Sequence, residues 1–151
     1  MDELTAAETS RLLANSMVGH IAVVDDGLPY VSPVSYVMVG EEFCFRTGAG
    51  RRVDAIRKNP AVSIEVMLIE DGRWESVIAS GTAREVTEND MAQIIISQLL
   101  SKYAKQIGSP LSVGARTPIP EHGILVAVTL DEVTGRSSGS WFSIPTRPGR
   151  L

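Results

Sequence analysis

The chain has little of what usually declares a chemistry outright. Cys44 is the only cysteine and His20 and His122 are the only histidines. No internal disulfide can form, and a lone thiol suits a reducing compartment. The three residues give no recognisable zinc spacing, so no metal site is expected. There is no GxxxxGK[ST] phosphate loop, and "GAGRRV" lacks the third glycine of the dinucleotide fingerprint. No apolar run nears the roughly 20 residues that cross a bilayer, and the acidic start "MDELTAAETS" is unlike a secretory leader, so a cytoplasmic protein is expected. A net charge of -4 sets the molecule as a whole against nucleic acid and anionic membranes. Any anion site has to be local.

What is present is an ordinary globular composition, 44% hydrophobic and 21% charged over 151 residues, enough for one domain with a real core. Thr5 and Glu8 read as the capping box of an N-terminal helix within 1–16. "GHIAVV" and "LPYVSPVSYVMVG" read as a hairpin turned at "DDG". Proline gives no N–H to a ladder, so Pro33 belongs at an edge or a bulge. "EEFCFRT" alternates Phe43, Phe45 and Thr47 on one face with Cys44 and Arg46 on the other. "AGRRVDAIRKNP" is a short helix closed by Asn59 and Pro60. Two long strands follow around a "DG" turn, the second broken at Gly81, then a helix over 87–103 and a last strand, "GILVAVTLDEV". Residues 135–151 read as a Gly, Ser and Pro-rich tail. About six strands with helices that interrupt them argue for a mainly β, antiparallel barrel with added helices.

Positive charge is concentrated in one place. Five of the 14 Lys and Arg residues (Arg46, Arg51, Arg52, Arg57 and Lys58) fall within thirteen positions. Arg57 and Lys58 suit a helix C-terminus, but Arg51 and Arg52 stand at the positive end of the dipole, where they repel it unless an anion sits among them. Gly48 and Gly50 let backbone N–H groups turn toward a ligand, Thr47 adds a hydroxyl, and the guanidinium fork suits phosphate. The plain alternative is a solvated, charged helix start.

Read in order from "GHIAVV" through "RTGAGRRVDAIRKNP" to "SGTAREV" and "LDEVTGR", the chain resembles the pyridoxamine 5'-phosphate oxidase-like flavoproteins, in particular their small nitroimidazole-reductase-like branch. The resemblance implies a six-stranded antiparallel split β-barrel of Greek-key type, a homodimer, and FMN in a groove between the subunits. It places the phosphate on Arg46 or Thr47 and on Arg51 and Arg52. It places the isoalloxazine ring against the backbone of Pro33, Val34, Ser35 and Tyr36. The implied activity is hydride transfer from NADH or NADPH, through the flavin, to a small electron-poor molecule. The tail has no Arg-x-His pair, which argues against pyridoxamine phosphate as substrate. A deazaflavin in place of FMN, a non-catalytic flavin or haem carrier or sensor, and an anion-binding interaction domain without cofactor are the alternatives. Trp141 with Phe142 needs an apolar surface to cover and is a candidate lid on the partner's flavin. Cys44 is expected to be packed, His20 to bond locally, Trp74 to lie in the core or the dimer interface, and the 87–103 helix to pack on protein.

Overall fold

The computed structural model describes residues 1–105 and 123–139. His122, Trp141 and Phe142 lie outside the described residues. The elements run β1 (Asp2–Glu3), α1 (Ala6–Asn15), β2 (Gly19–Asp25), β3 (Leu28–Val34), β4 (Tyr36–Val39), β5 (Glu42–Thr47), α2 (Arg51–Lys58), β6 (Ala61–Glu70), β7 (Arg73–Glu85), α3 (Asn89–Tyr103) and β8 (Ile124–Ser137). α1 begins at the expected capping box: the Glu8 N–H donates to Thr5 Oγ1 at 3.2 Å, and the Thr5 N–H to Glu8 Oε2 at 2.8 Å. The turns Asp26–Gly27 and Asp71–Gly72 have positive φ at both residues, as tight hairpin connections require.

Every strand pair is antiparallel, and the sheet runs β3-β2-β6-β7-β8-β5-β4, with β1 added to β8. Its two ends, β3 and β4, are separated in the chain by Ser35 alone. The backbone therefore passes from one edge of the sheet to the other at a single residue and closes it into a split barrel. This is why there are eight strands where six were expected: the second strand is two, and β1 is a short addition. Val34 pairs with Gly19 on β2, whereas Tyr36 pairs with Phe45 on β5. Pro33 lies on the edge strand β3, where a missing N–H costs no ladder bond.

The expected break at Gly81 is a bulge. Ser80 faces Glu132 and Gly81 faces Leu130, so Asp131 is the extra residue. A Cβ at Gly81 would collide with the Thr129 carbonyl oxygen. One boundary needs correction: β8 runs to Ser137, so Gly135, Arg136 and Ser137 belong to the sheet and not to a tail. They pair with Val77, Ser76 and Glu75 of β7, and a run of Gly, Arg and Ser carries no apolar alternation to read although Gly135 and Ser137 are buried.

The barrel interior is filled by Ile21, Tyr36, Phe43, Phe45, Ile64 and Val66, with Leu12 and Leu13 of α1 packed on it. The Tyr36 and Phe43 rings stack at 4.1 Å between centroids. Alternation along β4 and β5 sends Val37 and Cys44 to the other face, where Ile95 of α3 covers them. Packing on protein is thus the role of α3, and among the described residues no helix is long and apolar enough to cross a membrane.

Candidate functional site

α2 starts immediately after β5 and its glycine-rich loop. Its N-cap, Gly50, has φ 156° and ψ -167°, a backbone state that only glycine adopts readily, and it makes no side-chain cap bond. The open helix start is thus left for another acceptor. Behind it, Val53, Ala55 and Ile56 are buried and fix the helix against the barrel.

The two arginines at this end behave differently. Arg51 is half exposed and turns toward the β2–β3 turn, where Nε donates to Asp25 Oδ2 at 2.5 Å and the guanidinium lies 4.1 Å from the Tyr30 ring centroid. Arg52 turns inward. Its Nη1 donates to Ser32 Oγ and to the Pro33 carbonyl, both at 3.1 Å, and its Nη2 donates to Thr47 Oγ1 at 3.1 Å. Its Nε is buried with no partner among the described residues, and its charge lies 5.2 Å from the Phe45 ring. Among the described residues no carboxylate pairs with it, and desolvation pulls its pKa down. An orphaned donor on a desolvated cation beside an uncapped helix start is a donor set that fits a phosphate.

The structure therefore brings Pro33, Thr47 and Arg52 into direct contact and sets Arg51 alongside. Arg46 is exposed and, by the β5 alternation, shares the face of Cys44, away from Thr47. On the edge stretch, Val34 and Tyr36 bury their side chains while Pro33 and Ser35 are exposed, so Val34 and Tyr36 can offer only backbone. Trp141 lies outside the described residues.

Tyr36 is already engaged. Its N–H donates to Tyr103 Oη at 3.0 Å, and its carbonyl accepts from Lys102 Nζ at 2.9 Å. Tyr103 Oη in turn donates to the Met17 carbonyl at 2.6 Å. Two consecutive side chains at the end of α3 thus supply the acceptor and the donor that a neighbouring strand would have supplied at the break. Burial brings the Lys102 ammonium down to about 8. Sequence reasoning missed Lys102, Tyr103, Ser32, Tyr30 and Asp25. Nothing local links Lys102 to a backbone 66 residues away.

The remaining candidates are structural. Cys44 is fully buried and its thiol is pushed up to about 12, chiefly by desolvation and then by Glu42, which suits packing and not nucleophilic attack. His20 Nδ1 meets Glu65 Oε2 at 3.0 Å on the outer face, and Trp74 lies half-buried beside Ser138. Among the described residues no three His, Cys, Asp or Glu side chains are grouped to hold a metal ion. A cavity of about 760 Å³ opens between α1 and β8, lined by Leu13, Met38 and Arg136 among others. It touches neither α2 nor the break, and none of its lining residues is a desolvated cation.

The comparisons with known proteins bear on this geometry. A family model described as Pyridoxamine 5'-phosphate oxidase matches residues 5–137. A FAD-binding protein from Mesorhizobium loti is 23% identical with a TM-score of 0.74, covering 91% of this chain and 97% of its own. A protein from Bacteroides thetaiotaomicron, named for 5-nitroimidazole antibiotic resistance, is 16% identical with a TM-score of 0.74, over 90% of this chain and 86% of its own. A FAD and haem binding protein from Mycobacterium smegmatis is 17% identical with a TM-score of 0.73, over 91% of this chain and 73% of its own. At these identities the likeness speaks to the fold.

Proposed function

The chain belongs to the pyridoxamine 5'-phosphate oxidase family, and from that premise we propose that it is a flavin-dependent oxidoreductase that works as a homodimer. The observation that carries the reading is the donor set at the start of α2: an uncapped helix terminus, Thr47 Oγ1, and the inward Arg52 with its orphaned Nε. Arg51, Arg52 and Thr47 would hold the flavin's phosphate, and Arg46 stands outside this group unless the partner subunit presents it. The edge backbone of Pro33, Val34 and Ser35 would carry the ring. When bound, the flavin supplies hydride chemistry, taking a hydride from NADH or NADPH and passing it to a small electron-poor molecule. The protein's part is to bind, orient and screen the ring from water. FMN is the flavin we favour, because the donors gather around one terminal phosphate. FAD, which two of the similar structures name, carries its phosphates within the molecule.

The dimer is supported by the outer face of the sheet. By register, Val31 lies in one row with Ala22, Ser63 and Ser80, and Pro33 in the next with His20, Glu65 and Ile78. Val31 and Ile78 are 63% and 56% exposed on this face. A second copy seated there would adjoin the edge strand that carries the ring.

The test is an absorption spectrum of the purified protein followed by NADH and NADPH. A yellow protein bleached by either donor supports the enzyme, and mass analysis of the released cofactor separates FMN from FAD and from a deazaflavin. A flavin that no nicotinamide reduces indicates a carrier. A colourless protein that takes up no FMN removes the reading and leaves an anion-binding interaction domain. Arg51→Ala combined with Arg52→Lys should weaken FMN binding by about 2–4 kcal/mol, as loss of charge-assisted bonds to phosphate does. Riboflavin, which lacks the phosphate, should be weakened by less.

A further inference from the structure

Two cations flank the break in the barrel. Arg52 donates to the Pro33 carbonyl at 3.1 Å and Lys102 donates to the Tyr36 carbonyl at 2.9 Å, so Val34 and Ser35 lie between them. They arrive from opposite sides, Arg52 on α2 and Lys102 on α3. Neither has a carboxylate partner among the described residues. Burial works against the charge of both, drawing the Lys102 ammonium to about 8 and Arg52 downward. Lone desolvated cations cost free energy until an anion or a strong acceptor meets them.

Lys102 is also held in place. Its Nζ sits 3.9 Å from the Tyr36 ring centroid and 5.5 Å from that of Tyr103. An ammonium has three donors, and one is spent on the Tyr36 carbonyl. Meanwhile the Tyr36 N–H, one of the backbone groups that the family resemblance assigns to the ring, is committed to Tyr103 Oη. At that point on the edge the available donor is the ammonium and not the amide. Arg52 has its two terminal nitrogens occupied by Ser32, Pro33 and Thr47, so at the break it serves to hold backbone.

We propose that Lys102 receives the polar edge of the flavin ring at the break and favours the reduced, negatively charged ring over the neutral oxidised one. The inference rests on the flavin reading above. Its physical content is a difference: a fixed cation in a partly dehydrated site gains far more from a full charge than from a carbonyl dipole.

The test compares wild type, Lys102→Gln and Lys102→Arg, each loaded with FMN. Glutamine keeps a donor for the Tyr36 carbonyl without the charge, and arginine keeps the charge. Affinity for oxidised FMN is read by fluorescence, and the midpoint potential by equilibration with a redox dye. In Lys102→Gln, oxidised FMN should bind as in wild type, while the affinity for reduced FMN falls about tenfold, equivalent to a drop of about 30 mV for a two-electron couple. Lys102→Arg should restore most of it. A Lys102→Gln protein that holds oxidised FMN normally at an unchanged potential overturns the assignment and leaves the flavin reading standing. Equal loss of both redox forms would make Lys102 a mere support for the seam, and overturns it too. A wild-type protein that takes up no FMN removes both.

Discussion

Arg52 and Pro33, 19 residues apart, are tied by a hydrogen bond of 3.1 Å from the guanidinium Nη1 to the proline carbonyl. The same side chain reaches Ser32 and Thr47, so it fastens the edge strand β3 to the end of β5. A residue chosen from the sequence for an anion is therefore also a fastener of the fold.

The neighbouring arginines should separate in a stability measurement. Arg52→Ala removes charge-assisted bonds to three groups and should cost about 2–3 kcal/mol in urea unfolding of the flavin-free protein. Arg51→Ala, which loses a half-exposed ion pair with Asp25, should cost at most about 1 kcal/mol. Equal effects would mean that Arg52 does not fasten β3.

The lysine at the break should leave a mark on the pH dependence of stability. Burial holds its pKa at about 8 in the folded protein against an ordinary 10.5, so between those values the unfolded chain binds more protons. This group therefore makes the fold gain stability as pH rises through 8 toward 10, and withholds that gain below 8. Comparing unfolding free energies at pH 7 and pH 9.5, wild type should gain more than Lys102→Met. Identical slopes would count against the burial of this charge.

Gly81 is confined by packing. Gly81→Val would drive a branched side chain into the Thr129 carbonyl and Val128 at the bulge. It should cost at least about 3 kcal/mol, the upper end of ordinary overpacking, because the obstacle is backbone. A melting temperature unchanged from wild type would show that the bulge relaxes.

Cys44 should be silent to thiol reagents. With no exposure and a thiol pushed up to about 12, it should react with a disulfide reagent at pH 8 only after denaturation. Rapid labelling of the native protein would place the thiol at a surface.

Much of the fold was legible because its signals are local. Thr5 and Glu8 announce a helix start, the two Asp-Gly turns announce hairpins, and Phe43 and Phe45 alternate with Cys44 as a half-buried strand must. The site was legible in part. Arg51 and Arg52 stand out because basic side chains oppose the dipole of the helix they begin. Arg46 looked equal to them by proximity, yet one step along a pleated strand sends it to the opposite face. The end of β8 was hidden because Gly135 and Ser137 resemble loop residues when their partners on β7 and β1 are not in view.

The chain alone determined the order of elements, their caps and turns, and the collection of positive charge ahead of α2, since each depends on residues a few positions apart. Tertiary structure decided that the sheet's two edges meet at Ser35, that Arg52 turns inward while Arg51 turns out, and that Lys102 and Tyr103 complete the backbone of Tyr36. Those outcomes follow from closing a barrel. An edge that has lost its neighbouring strand must satisfy its N–H and carbonyl groups with whatever side chains the closure brings near, and no short-range pattern records which they will be.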